Sequence, residues 1–395
     1  MSEISTVVIV GAVRTPIGSL CGSLSSLKAS DLGSIVIKEV LKKTSLDPEE
    51  VSEVIMGQAL MAGEGQNPAR QAAMKANIPF SVPAFTVNHL CGSGLKSVVL
   101  GYQSIIAGDS KVVICGGQEC MSRAPHCIYM RSPNKMGDAT LKDTLLSDGL
   151  NDAFHNIHMG MTAENIAREK NISRSDQDTF AAKSQQKAEL AKLAGHFQGE
   201  IVPVTIDSRK GPSSLFQDEF PKPGTTVEVL SKLKPAFEKD GTVTAGNSSG
   251  INDGAAVLIL TTAKEAKSRG LTALGEIVGW SQAGVNPALM GLGPIPAINS
   301  LLEKIGWTQE DVDLFELNEA FAAQSLAVIR ELNLNEDKVN VSGGAIALGH
   351  PIGASGARVL VTLLHGLHRT GKNKGIAALC IGGGQGIAIA VRVPS

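Results

Sequence analysis

Leu41–Leu60 reads LKKTSLDPEEVSEVIMGQAL, and Leu302–Phe321 reads LEKIGWTQEDVDLFELNEAF. The two align without a gap: Leu41, Lys43, Glu49, Val51 and Ala59 meet Leu302, Lys304, Glu310, Val312 and Ala320. Each reads as the end of a helix, a turn, and a buried strand running into a loop. Two further matches keep the same order. KVVICGGQE from Lys111 echoes AALCIGGGQG from Ala377, and NHLCGSGLKS around Cys91 falls opposite GGAIALGHPIGASGAR around His350. Three matches in register point to a duplicated α/β domain.

Each half alternates apolar strands with helical stretches. VVIVGAV, EVIMGQA, FTVNHL and KVVICGG are strand-like in the first half, and DLGSIVIKEVLKKT and GLKSVVLGYQSIIAG are helical. In the latter, Leu95, Val98, Val99, Tyr102, Ile105 and Ile106 follow three/four spacing, which predicts a well-buried helix. The fold expected is α/β, two duplicated layered domains packed together. Between the halves the chain is richer in charge, Pro, Met and His. This stretch contains APHCIYMRSPNKMGD, a helical SRSDQDTFAAKSQQKAELAKLAG and a loop-like DSRKGPSSLFQDEFPKPGTT. It reads as a large inserted loop domain, and such excursions often carry substrate binding. The division expected is a first core of residues 1–120 plus 247–270, a loop domain of 121–246 and a second core of 271–395.

The remaining bounds are mostly exclusions. With 395 residues and 43% hydrophobic content the chain can bury a sizeable core. A formal net charge of -2 gives no global pull towards nucleic acid or an anionic membrane. No apolar run approaches the roughly 18 residues of a membrane span. The opening MSEIST leads straight into VVIV, leaving no room for a signal peptide, and VRVPS is not a peroxisomal Ser-Lys-Leu address. The six cysteines form no CxxC and no zinc-site spacing. The compartment expected is the cytosol, with reduced thiols.

Cys91 sits where a strand is expected to end at Leu90 and Gly92-Ser93-Gly94 lets a helix begin. A thiol there lies near free helix N–H groups and the positive end of a helix dipole, both of which favour thiolate. The same N–H groups can stabilise an oxyanion on a thioester. A lone cysteine at such a turn reads equally as a small buried residue. Its company changes the reading: His350 occupies the matching corner of the second half, and pseudo-twofold packing would bring the two together as nucleophile and base. Cys380, again beside glycines, is a third candidate. Asn318 follows an apolar strand, where a polar side chain facing a cleft stands out.

Taken in order, VVIVGAVRTPIG, NHLCGSGLK, GGQECMS, HMGMTAEN, KLKPAF, TAGNSSGINDGAA, NEAFA, GGAIALGHPIGASG and CIGGGQG resemble the thiolase family, in its short-chain, cytosolic acetyl-CoA acetyltransferase branch. The resemblance spans essentially the whole chain. It implies that Cys91 takes the acyl group, that His350 activates it, and that Cys380 handles the α-proton of acetyl-CoA. It implies that Asn318 holds a water which, with His350 Nε2, forms one oxyanion hole, and that the backbone N–H groups of Cys91 and Gly382 form another. A thiol acting as base needs a lowered pKa, so Cys380 is expected close to His350, Cys91 or a helix end.

The resemblance also implies that His158, Met159, Lys222, Phe237, Ala245, Ser249 and Phe321 line the coenzyme A channel. Lys222 stands where Arg is common in the family, so a point charge replaces a bidentate fork there. Met159 and Met290 match residues that close a short acyl pocket, leaving room for acetyl and acetoacetyl groups only. Phe220 stands about where a potassium-site tyrosine occurs in a related type, so no metal is expected. No cofactor is expected either, coenzyme A thioesters being substrates. Acetyl-CoA, acetoacetyl-CoA and CoA are the expected partners, with a homotetramer built as a dimer of dimers. Ketoacyl synthases and hydroxymethylglutaryl-CoA synthases share the duplicated fold and a Cys nucleophile, but the cysteine of CIGGGQG and the NEAF/GHP pair count against both. A CoA-binding scaffold with a dead site is the remaining alternative, and every chemical position is filled.

Overall fold

The computed structural model describes residues 6–132, 134–207 and 211–394. The first five residues, Ser395, and Pro133 and Ser208–Lys210 of the expected inter-half stretch lie outside the described residues. The first half contributes strands β1 (Val7–Arg14), β2 (Glu53–Gly57), β3 (Ala84–Val87), β4 (Val112–Cys120) and β5 (Asn252–Thr262). The second contributes β6 (Gly275–Gly284), β7 (Leu314–Leu317), β8 (Lys374–Ile381) and β9 (Gln385–Arg392). The sheet order is β7-β8-β9-β6-β1-β5-β4-β2-β3.

The duplication is visible in this order. In each half the repeat strand pairs in parallel with its neighbour (β2 with β4, β7 with β8); the first half adds a second parallel pair, β2 with β3, and the other pairings are antiparallel. The halves do not keep separate sheets. They join edge to edge where Val8 and Ile9 of β1 meet Glu276 and Gly275 of β6.

The strands read as continuous apolar runs because both of their faces are buried. In β1, Val7 and Ile9 enter one core while Val8 and Val10 enter another. The first of these cores is shared by both halves. It holds two central helices, α3 (Ser93–Ala107) and α8 (Ile352–Thr370), between sheet faces from each half. Outside, α1 (Ala29–Thr44) and α2 (Pro68–Lys75) cover the first half, and α6 (Pro294–Ile305) and α7 (Ala322–Glu331) cover the second. The excursion supplies α4 (Met159–Glu169) and α5 (Arg174–Leu193), the latter opened by a Ser173/Asp176 capping box. Among the described residues, no helix is long and apolar enough to cross a membrane.

The central helices meet through glycine. A Cβ on Gly94 would sit 2.6 Å from the Ala357 backbone nitrogen, and one on Gly356 would sit 2.2 Å from the Leu95 nitrogen. Only bare backbone allows this approach. It brings the starts of α3 and α8, and the residues just before them, side by side.

Candidate active site

Cys91 and His350 stand at those two helix starts. The strand before Cys91 ends earlier than the sequence suggested, at Val87 rather than Leu90. The Asn88 carboxamide accepts the Leu90 N–H at 3.0 Å, which turns the chain out of the ladder. A short 3-10 turn, Leu90–Gly92, then leads into α3. Leu90 is held at φ 46°, and a Cβ on Gly92 would lie 2.5 Å from Ile381 Cδ1. Strain and close approach together aim Cys91 out of the sheet.

His350 follows Gly349, whose φ of 105° only glycine adopts readily. Its backbone N–H donates to Asn252 Oδ1 at 2.9 Å, and Asn252 Nδ2 donates to Gly18 O at 2.9 Å. The imidazole Nδ1 lies 2.6 Å from Ser355 Oγ, whose proton goes to Pro351 O at 2.9 Å. Nδ1 is therefore the donor in that contact. Nε2 is left unprotonated, 3.4 Å from Asn318 Nδ2.

Cys91, His350 and Cys380 open onto one cavity of about 430 Å³. Met159, Met290 and Phe321 pack around Cys380 and form its apolar end. His158 stacks on Phe237 with ring centroids 4.7 Å apart, and Phe237 meets Phe321 edge-on at 6.3 Å. His158 Nδ1 also caps α4 by accepting the Gly160 N–H at 3.0 Å. Ala245 and Ser249 line the wall, on a loop tied to the Asn318 loop by Ser249 N–H to Ala320 O at 3.0 Å. Lys222 is exposed at the wall, its ammonium 5.4 Å from the Phe220 ring centroid. Asn318 and Gly382 lie behind the surface. Asn318 reaches in through its amide, and the Gly382 N–H acts on the Cys91 thiol, pulling its pKa down.

The expected lowering of the thiol pKa values is corrected here. Burial pushes Cys91 up to about 11, against the pull of the Gly382 and Cys91 N–H groups. Burial also raises Cys380, and the neighbouring Cys91 adds to the rise. Burial, with Arg358 nearby, lowers His350 to about 3. Removal from water outweighs the helix-end effect, so the resting site holds neutral thiols beside a neutral imidazole. A neutral thiol next to a free imidazole nitrogen, with backbone N–H groups at the sulfur, suits attack on a thioester with the proton passing to nitrogen.

Several supporting residues escaped the sequence reading. Glu119 accepts N–H groups from Ala59 at 2.9 Å, Leu60 at 3.2 Å and Gly353 at 2.8 Å, joining the first half to the start of α8. Burial raises its carboxyl to about 8. Ser355 lies inside a quoted motif, five residues after His350, and its hydroxyl was the available signal. Asn252 is 98 positions from His350 and gave none.

The chain matches the family model for the thiolase N-terminal domain over residues 7–264 and that for the thiolase C-terminal domain over residues 271–393. It is 58% identical over 388 residues to the cytosolic acetyl-CoA acetyltransferase of Rattus norvegicus, with 98% of each chain covered. Among solved structures, the Bacillus anthracis acetyl-CoA acetyltransferase superposes with a TM-score of 0.98 at 44% identity. Human mitochondrial 3-ketoacyl-CoA thiolase superposes with a TM-score of 0.96 at 43% identity. Each of these two matches covers 100% of both chains. The duplicated sheet, the crossed central helices and these matches agree: the chain belongs to the thiolase family.

Proposed function

We propose that the chain is an acetyl-CoA C-acetyltransferase that condenses two acetyl-CoA reversibly to acetoacetyl-CoA and CoA. The observation that carries this reading is the cavity onto which Cys91, His350 and Cys380 all open, with Met159, Met290 and Phe321 packed around Cys380 in its lining.

In the first half-reaction Cys91 Sγ attacks the acetyl-CoA carbonyl while its proton passes to His350 Nε2. The Cys91 and Gly382 N–H groups stabilise the oxyanion, and CoA leaves with that proton, giving acetyl-Cys91. In the second, Cys380 first passes its thiol proton to His350 Nε2 and, as thiolate, takes the α-proton of another acetyl-CoA. The enolate oxygen is stabilised by the protonated His350 and by a water held by Asn318. The enolate carbon attacks acetyl-Cys91, and the Cys91 sulfur leaves with the proton from His350, which returns both cysteines to thiols. His158, Met159, Lys222, Phe237, Ala245, Ser249 and Phe321 form the CoA channel in this reading, and Met159 and Met290 limit the acyl chain. Residues 121–246 act as the loop domain that carries most of that channel, between cores of 1–120 plus 247–270 and 271–395. Thioesters of coenzyme A enter as substrates, and no separate cofactor is invoked. A homotetramer is proposed, supported by the exposed apolar Tyr129, Met130 and Met136 of the excursion. A cytosolic site of action follows the naming of the Rattus norvegicus relative.

The test is CoA-dependent cleavage of acetoacetyl-CoA beside a long-chain 3-ketoacyl-CoA, with Cys91→Ala as control. Cleavage of the short substrate alone, lost in the control, is the expected result. Equal cleavage of the long chain would sink the methionine-closed pocket and favour a broad degradative enzyme.

A further inference from the structure

The Asn318 side chain has few bonds of its own. Among the described residues its Oδ1 is buried without a hydrogen-bond partner, and its Nδ2 makes only the 3.4 Å contact with His350. Such a side chain is not held in place by its own bonds. The backbone must hold it: the Asn318 N–H donates to Ala378 O at 3.0 Å, and the residues on either side are clamped by one further side chain. Asn340 Oδ1 accepts the Leu317 N–H at 2.8 Å, while Nδ2 donates to Leu317 O at 2.8 Å and to Glu319 Oε1 at 2.9 Å. One carboxamide thus grips the residues before and after Asn318. All four of these residues are nearly inaccessible to solvent.

Symmetry shows what this clamp replaces. In the first half, β3 runs along β2 over four residue pairs, and Gln58, which matches Glu319 in the repeat, donates its N–H to Val87 of β3. In the second half the corresponding parallel contact is a single bridge, Phe315 to Val339. The chain then turns at Asn340, φ 46°, and its side chain takes over the pairing with Leu317. A side chain stands where a strand would otherwise run. Glu319 extends the grip, accepting also from Ser184 Oγ at 2.7 Å and the Ile346 N–H at 3.2 Å.

We infer that Asn340 is a positioning residue for the oxyanion site of the condensation step, acting through Leu317 and Glu319 to aim the Asn318 amide beside His350. The inference rests on the acyl-transfer reading above. It separates the two half-reactions: Asn340 should serve the step that uses Asn318 and spare the one that uses the Cys91 and Gly382 N–H groups.

The experiment compares wild type, Asn340→Gly, Asn318→Ala and the double variant. Glycine keeps the positive φ without strain, so only the clamp is removed. Asn340→Gly is expected to lower kcat for acetoacetyl-CoA thiolysis by about 10- to 100-fold, the scale of a small misplacement of a reacting group. KM, and the single-turnover acetylation of Cys91 by acetyl-CoA, should stay within about twofold of wild type. In the Asn318→Ala background the same change should cost almost nothing, because residues acting as one unit are not additive. Unchanged kcat, a matching loss in Cys91 acetylation, or a full additional loss in the double variant would each overturn the inference. Should the glycine variant not fold, Asn340→Asp retains the acceptor for Leu317 and loses both donations, and it is read by the same criteria. Absent turnover in the wild type would instead strike the proposed activity.

Discussion

The Cys91 corner and the His350 corner are the same piece of architecture carrying different chemistry. Each begins two residues before a central helix, and each is preceded by a residue at positive φ, Leu90 at 46° and Gly349 at 105°. Burial moves the two groups in opposite directions, the thiol up to about 11 and the imidazole down to about 3. In both cases it is the charged form that is penalised. Duplication supplied two equivalent helix starts that line one cavity, with a thiol at one and an imidazole at the other. On the proposed reading, the two charges appear only when the proton moves, each as counter-ion of the other.

The largest effect should come from breaking the pair at either end. On the proposed reading Cys91→Ala removes the atom that takes the acyl group, and turnover should fall by more than about 10⁴-fold. His350→Ala leaves the nucleophile in place and should cost about 10²–10⁴-fold. It should also slow alkylation of Cys91 by iodoacetamide near neutral pH. Equal residual rates for the two variants would argue that the corners do not divide the work this way.

A second class of change attacks the shared geometry. Gly356→Ala forces a methyl against the Leu95 backbone, which cannot turn aside as a side chain can. A loss of about 1–3 kcal/mol is expected in denaturant melts, together with lower activity. Gly366→Ala, on the same helix with its nearest neighbour at 3.6 Å, should be neutral or stabilising by up to about 1 kcal/mol.

The pH dependence of stability sharpens the comparison further. His350 is held below its ordinary 6.5, so the folded state resists its protonation while the unfolded chain does not. Its contribution is complete above pH 6.5 and is lost progressively as pH falls towards 3, with a slope of roughly 1.4 kcal/mol per pH unit from this one group. His350→Asn should flatten that part of the stability profile, as followed by urea midpoints between pH 7 and pH 4. An unchanged slope would mean that other groups dominate acid unfolding.

The smallest effect lies at the cavity wall. Lys222→Arg restores a planar, two-pronged donor. It should lower KM for CoA by about two- to threefold with kcat unchanged, since a bidentate contact is stronger than a point charge. A higher KM would mean that the Lys222 ammonium, beside Phe220, is already well placed.

The duplication was legible in the sequence because the repeat strands are buried on both faces, and near-continuous apolar runs such as VVIV and EVIMG leave their order plain. Cys91, His350 and Cys380 were legible because each follows or precedes glycines at a turn. Their protonation states were not. The sequence shows a thiol near a helix start, but the excursion and the second half decide how much water reaches it. Asn340, Asn252 and Glu119 were illegible for another reason. Their partners lie 21 to 234 positions away; Glu119 and Asn252 fall within GGQECMS and TAGNSSGINDGAA, but nothing in those runs says which distant groups they hold. The join between β1 and β6 was missed on the same grounds, since the repeat predicts two similar sheets and says nothing of their meeting edge.

That join has a temporal consequence. β1 precedes every other described strand in the chain, and both its neighbours, β5 and β6, are synthesised about 250 residues later. At translation rates of roughly 5–20 residues per second it must wait some ~12–50 s for a partner. During that interval VVIV is an apolar segment with no ladder to join. The strand that later unites the two halves is, in the nascent chain, the one most in need of shelter.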